Sequence, residues 1–272
     1  MSISAARMDQ ANAIAAAHPQ SFVTDDGVRV AYYRWGDDGG QVPVALHHGF
    51  AASTDANWVS TGVVAALLKA GRSVISIDAR GHGRSDKPHD AAYYGEARMA
   101  RDLRGLLDHL GIGEFDLFGY SMGAVVSLIV ASEDTRVRRL IVGGIGEGVL
   151  ATGGVDLRVM DRAAVTAALL TDDPTTITAP GVAAFRAFAE ANGSDLKALA
   201  AQASRMFDQV IELKRISADT LVLAGEKDAL ALHPQRLAAA IARGQSITVP
   251  GDHLGAVAQP KFIETAIHFL GN

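Results

Sequence analysis

The sequence predicts an α/β fold: a mostly parallel eight-stranded sheet flanked by helices, with a helical cap inserted after strand 6. Three observations predict it. From residue 42 onward, short apolar runs alternate with stretches of helical period. These runs are continuously apolar rather than alternating, as expected of parallel strands covered on both faces. The alternation breaks once, between residues 147 and 217, where helical patterns follow one another with no convincing strand.

Taken in order, Met1–Ala17 reads as a short Ala-rich surface helix. Ser21–Val23 and Val28–Trp35 flank Asp25-Asp26-Gly27, a turn signal between β-type segments, and read as an antiparallel hairpin. Val42–Leu46 is the next strand, followed by a helix around Trp58–Ala70. Strand Ser73–Ile77 leads through a long loop to a helix around Glu96–Leu110. Strand Phe115–Phe118 runs directly into a helix at Met122–Ala131, and Arg139–Val142 is the sixth strand. The insertion carries helical patterns at Leu157–Leu170, Gly181–Ala191 and Leu196–Ile211, broken by Pro174 and Pro180. Strands Thr220–Leu223 and Ser246–Val249 and helices Pro234–Ala242 and Gln259–Leu270 complete the chain. The expected division is a core of residues 1–146 and 218–272 and a helical cap of residues 147–217 over one end of the sheet.

Composition narrows the function. The chain has 272 residues and no cysteine, which removes disulfides, thiolate metal sites and a thiol nucleophile. Its net charge of −5 argues against nucleic acid or an anionic membrane as partner, because both reward a basic face. No apolar run reaches the ~18 residues of a membrane helix. Ala13–Ala17 is too short for a signal-peptide core of ~7–15 residues, so a cytoplasmic location is expected. There is no H-E-x-x-H and no His/carboxylate cluster at metal-ligand spacing. Gly143–Gly148 lacks the third glycine of a dinucleotide loop. The sequence therefore implies no metal and no cofactor. It leaves the oligomeric state open.

One motif carries chemistry. Gly119-Tyr120-Ser121-Met122-Gly123 matches G-x-S-x-G and sits between a strand and a helix. So tight a turn forces the serine to positive φ, and the positions two before and two after it then crowd each other so that only side chains near glycine in size fit. The turn aims Ser121 out of the carboxyl end of the sheet, beside the free N–H groups of a helix start.

With His47-His48-Gly49-Phe50, Asp78–Ser85, Gly225-Glu226-Lys227-Asp228 and Gly251-Asp252-His253, this motif makes the chain resemble the α/β-hydrolase superfamily, most closely its small, capped, cofactor-free serine esterases. Asp78–Ser85 is similar to the family's D-x-R-G-x-G-x-S loop and reads as structural, with Asp78 and Arg80 tying loops together. The elbow residue is Ser121, not the Asp that epoxide hydrolases and haloalkane dehalogenases of this fold carry.

A serine hydroxyl needs a base to take its proton, and the base needs a carboxylate to orient it. Nine histidines are present. His253, in the loop after the last strand, is the candidate base, while His47 and His48 end a strand, His82 and His89 lie in the loop after the fourth strand, and His18, His109 and His268 fall on or beside helices. Asp228 is the candidate acid, giving the order Ser, Asp, His that the fold expects. Glu147, after the sixth strand, and Glu226 are its rivals. The resemblance implies an oxyanion hole from the backbone N–H groups of Phe50 and Met122. Phe50, Met122, Phe185, Phe188, Met206, Leu230 and Leu254 are candidates for an apolar substrate pocket. The expected activity is hydrolysis of a small-molecule carboxylic ester of short to medium acyl chain through an acyl-enzyme. The alternatives are the same triad acting on a C–C bond, lactone or thioester, and a ligand receptor on a hydrolase scaffold.

Overall fold

The computed structural model describes residues 18–36, 41–156, 158, 159 and 161–271. The expected helix over residues 1–17 lies outside them. Eight strands form one sheet: β1 (Gln20–Val23), β2 (Arg29–Trp35), β3 (Val44–His47), β4 (Val74–Ile77), β5 (Phe115–Tyr120), β6 (Val137–Gly143), β7 (Asp219–Gly225) and β8 (Gly244–Val249). Their spatial order is β1-β2-β4-β3-β5-β6-β7-β8. Only β2 runs against its neighbours, antiparallel to both β1 and β4; every other pairing is parallel. The sheet is thus the mostly parallel, eight-stranded one the sequence predicts.

The helices are α1 (Val63–Lys69), α2 (Glu96–His109), α3 (Met122–Glu133), α4 (Gly148–Thr152), α5 (Arg162–Leu170), α6 (Pro180–Ala191), α7 (Leu196–Ala203), α8 (Pro234–Ala239) and α9 (Pro260–Gly271). Strand side chains alternate between two apolar layers, as the two-residue period requires. Ala45, Leu117, Leu140 and Val142 face one layer with α2 and α3. Val44, Leu46, Phe118, Ile141 and Leu221 face the other, with Trp58, α1 and α9. Helix α3 is buried from Met122 to Ser132, so it is apolar all round rather than striped.

Several boundaries differ from those expected, each for a local reason. The helix expected from Trp58 begins at Val63, because a π-helical turn (Asp55–Val59) and Gly62 at φ 88° intervene. The helix expected over 157–170 starts at Arg162, where Asp161 caps it by accepting from the Ala164 N–H. The helix expected over 196–211 ends at Ala203. There the tertiary partners of the next segment win: the Phe207 N–H donates to Glu96, and the Phe207 carbonyl packs on Gly154. Helix α4 was not expected; it carries too few residues to show a period.

The parallel register aligns the ends of the central strands, pairing His47 with Gly119 and Tyr120 with Gly143. The loops that follow β3, β5, β7 and β8 therefore emerge at one edge, where an open α/β sheet assembles its site. No helix among the described residues is long and apolar enough to cross a membrane.

Candidate active site

Ser121 stands between β5 and α3 at φ 54°, in the left-handed region that a β-carbon disfavours. The flanking glycines are required by contact. A β-carbon on Gly119 would lie 2.1 Å from the Gly123 carbonyl oxygen, and one on Gly123 would lie 2.0 Å from that of His47. The elbow is thus wedged against the end of β3, and nothing larger than hydrogen fits on either side.

The loops bring the three sequence-predicted residues together. His253 Nε2 lies 2.9 Å from Ser121 Oγ, and His253 Nδ1 lies 3.0 and 2.9 Å from the two carboxylate oxygens of Asp228. A proton on Nδ1 donated to Asp228 leaves Nε2 to accept from the serine hydroxyl. Asp228 is 3 % exposed and its Oδ1 also accepts the Leu230 N–H at 2.9 Å, so its carboxylate is held from two sides. The Tyr120 hydroxyl donates to the His253 carbonyl at 2.7 Å, anchoring the histidine's loop. The rivals lie elsewhere. Glu147 is paired with Arg236 at 2.6 Å, and Glu226 is exposed.

The loop after β3 supplies the next component. A β-carbon on Gly49 would lie 3.3 Å from that of Ser121, so this backbone and the Ser121 side chain approach closely. The Gly49 N–H donates to Asn57 Oδ1 at 2.9 Å, and His48 Nδ1 donates to the Gly49 carbonyl at 2.8 Å. His48 Nε2 accepts the Ala79 N–H at 2.9 Å, which fixes the neutral tautomer and ties this loop to the one after β4. Burial lowers the basicity of His47, His48 and His82 alike; His47 is pushed down to about 3. They stay neutral, so they add no charge beside Ser121. Among the described residues, the amide N–H groups of Phe50 and Met122 have no hydrogen-bond partner, and both residues lie beside Ser121. Two free donors at that point can receive negative charge developing on a carbonyl oxygen.

Two cavities meet at Phe50, Ser121 and Phe185. The outer one, of about 60 Å³, is also lined by Phe188, His253 and Leu254. The inner one, of about 10 Å³, adds Met122, Met206, Leu230 and Glu96. All seven residues expected to form a substrate pocket thus line one cavity or the other. Helices of the 147–217 segment supply Phe185, whose ring centroid lies 5.8 Å from that of His253. The same segment grips the loop after β3, since Asn192 and Ser194 both donate to the Ala51 carbonyl.

Sequence reasoning missed Asn57 and Glu96. Asn57 stands on the π-helical turn, whose pattern is too short to read. Glu96 reads as an ordinary acidic residue in a helix's first turn, and only the Met206–Phe207 segment packed over it buries it to 2 % exposure. That burial raises its carboxyl to about 7, against donation from its own N–H, the Phe207 N–H and Gln202 and the nearby charge of Arg162. The folded state therefore keeps a proton that the unfolded chain has released between about pH 4.5 and 7. Stability is present at the acidic end and is lost as pH rises through about 7, by about 3 kcal/mol. Glu96→Gln keeps the shape and removes the titration. Urea unfolding should find the variant more stable than wild type at about pH 8 and close to it at about pH 5. Parallel pH profiles for the two proteins would contradict this.

Comparison with known proteins agrees with the fold. Residues 42–162 match a family model described as alpha/beta hydrolase fold. An sn-1-specific diacylglycerol lipase ABHD11 of Mus musculus is 39 % identical over 100 residues, covering 36 % of this chain and 31 % of that protein. A 2-hydroxy-6-oxo-2,4-heptadienoate hydrolase of Pseudomonas putida is 36 % identical over 122 residues, covering 44 % of each. The matched part thus spans less than half the length of these curated relatives. A solved hydrolase from Pseudomonas aeruginosa PA01 superposes with a TM-score of 0.71 at 27 % identity, covering 94 % of this chain and all of that one.

Proposed function

The chain is a member of the α/β-hydrolase superfamily, and from that premise we propose that it is a serine hydrolase of carboxylic esters. The observation that carries this reading is the run of contacts from Ser121 Oγ through His253 to Asp228, each within 3.0 Å. Ser121 Oγ attacks the acyl carbonyl as His253 Nε2 takes its proton. Asp228 holds the imidazole in the required tautomer and balances the imidazolium. The carbonyl oxygen becomes an oxyanion received by the Phe50 and Met122 N–H groups. His253 returns the proton to the departing alcohol, leaving an acyl group on Ser121. Water activated by the same histidine then attacks the acyl carbon and releases the acid.

The 147–217 segment acts as a cap. Phe185 and Phe188 close the outer cavity over the nucleophile, and Met206 closes the inner one. The inner cavity has room for about one water, which favours short acyl groups unless the cap shifts. The substrate is a small ester of short to medium acyl chain, cleaved without a cofactor.

A fluorophosphonate probe followed by peptide mass spectrometry tests the nucleophile, and the adduct is expected on Ser121. A p-nitrophenyl ester series tests the acyl pocket, with turnover falling as the chain lengthens. An adduct elsewhere, or none, would overturn the reading. A second reading keeps the same residues and cleaves a C–C bond; it is favoured by the likeness to the heptadienoate hydrolase. Turnover of a vinylogous 1,5-diketone acid with no turnover of any ester would select it.

A further inference from the structure

Asn57 is a buried polar side chain beside the nucleophile that ester hydrolysis as described leaves unused. It is 5 % exposed and lines the outer cavity with Ser121 and His253. It stands on the π-helical turn Asp55–Val59, a distortion that recurs at functional sites. Its orientation is determined by its partner. The Gly49 N–H can only donate, so the oxygen Oδ1 must face it at 2.9 Å. Nδ2 then faces away, and among the described residues it is buried without a hydrogen-bond partner. A buried amide left unpaired in this way needs an explanation, and a ligand that completes it is one.

The cavity says which part of the ligand. Most of its wall is apolar, from Ala52, Ala56, Phe185 and Val257. Thr61 has committed its hydroxyl proton to the Asn57 carbonyl. His253 lines the outer cavity but not the inner one. In ester cleavage the histidine must hand its proton to the leaving alcohol, so the alcohol lies on the histidine's side, in the outer cavity.

We propose that Asn57 is a specificity-determining residue whose Nδ2–H donates to an oxygen of the leaving alcohol, so that this protein prefers esters of oxygen-bearing alcohols over hydrocarbon ones. The assignment rests on the ester-hydrolase reading.

The test compares 2-methoxyethyl butyrate with butyl butyrate, two esters of the same shape that differ by one ether oxygen in the alcohol. Wild type should favour the methoxyethyl ester in kcat/KM by about tenfold. Asn57→Asp keeps an acceptor for the Gly49 N–H and removes the donor, and should bring the ratio to about one or below. Asn57→Leu, close in size and without a buried charge, carries no donor; it should lose the preference too and serves if the Asp variant fails to fold. A wild-type ratio near one overturns the assignment whatever the variants do, as does a preference that persists in a folded variant. If folded wild type hydrolyses neither ester, the ester-hydrolase reading fails and the assignment falls with it.

Discussion

Ser121→Ala should lower kcat for p-nitrophenyl butyrate by about 10⁴- to 10⁶-fold, the range seen when a member of a working triad is removed. In the proposed mechanism the hydroxyl oxygen is the atom that bonds the acyl carbon, so its loss removes the acyl-enzyme route. Among the described residues, cysteine is absent and the nearest titratable partner, His253, is aligned to accept a proton from position 121. The remaining rate should reflect the Phe50 and Met122 N–H groups and the pocket, which the substitution leaves alone. The fold should survive. The side chain is buried, makes its one hydrogen bond to His253, and sits at a positive φ that alanine meets as badly as serine does. Steady-state turnover with a parallel melting curve checks both halves. A variant that melts like wild type and retains above about one per cent of kcat would show that Ser121 is not the nucleophile.

Arg80→Ala should have the largest effect on stability, costing about 3–5 kcal/mol. The guanidinium is fully buried and bridges three parts of the fold. It donates to Asp102 on α2 at 2.7 and 2.8 Å, to Asp26 in the β1–β2 turn at 2.9 and 3.0 Å, and to the Tyr93 carbonyl at 2.6 Å. Removing it leaves the Asp102 carboxylate, 2 % exposed, with Arg98 at 3.5 Å as its remaining ion-pair partner among the described residues. The cost is that of an uncompensated buried charge rather than the worth of the pair, which is why truncating one partner is severe. For a chain of this size the loss corresponds to a fall in Tm of about 6–20 °C, measurable by calorimetry. A fall of under about 2 °C would mean that the buried network contributes little.

The two predictions draw on parts of the sequence that were legible to different degrees. The sheet was readable because buried parallel strands are continuously apolar and the loops between them are not. Ser121 was readable because a strained turn admits so few residues that its glycines leave a local signature. His253 and Asp228 were readable by position, each following a strand that ends at the same edge. Asp78 and Arg80 were expected to tie loops together, and the Asp78 carboxylate does accept from the Thr54 and Arg84 N–H groups at 2.8 Å. The 147–217 segment was readable as helices but not by its ends, since residues 204–212 follow partners far away in sequence rather than their own period. Asn57 and Glu96 carried no signal. Their roles come from what packs against them, Gly49 in one case and Phe207 in the other.

By itself, then, the sequence determined the class of fold, the strained turn at Ser121 and the kind of chemistry these residues can do. All of these rest on short-range constraints: side-chain period, backbone strain at positive φ, and the few residue types able to move a proton near neutral pH. Only the tertiary structure decided which carboxylate reaches the histidine, which amides stay free, and which side chains wall the two cavities. Glu147 and Asp228 both follow a strand of the same sheet. The difference between them is that Arg236 stands beside one and His253 beside the other. Such pairings span long stretches of chain, and they are set by how the loops pack at one edge of the sheet, which no local pattern encodes.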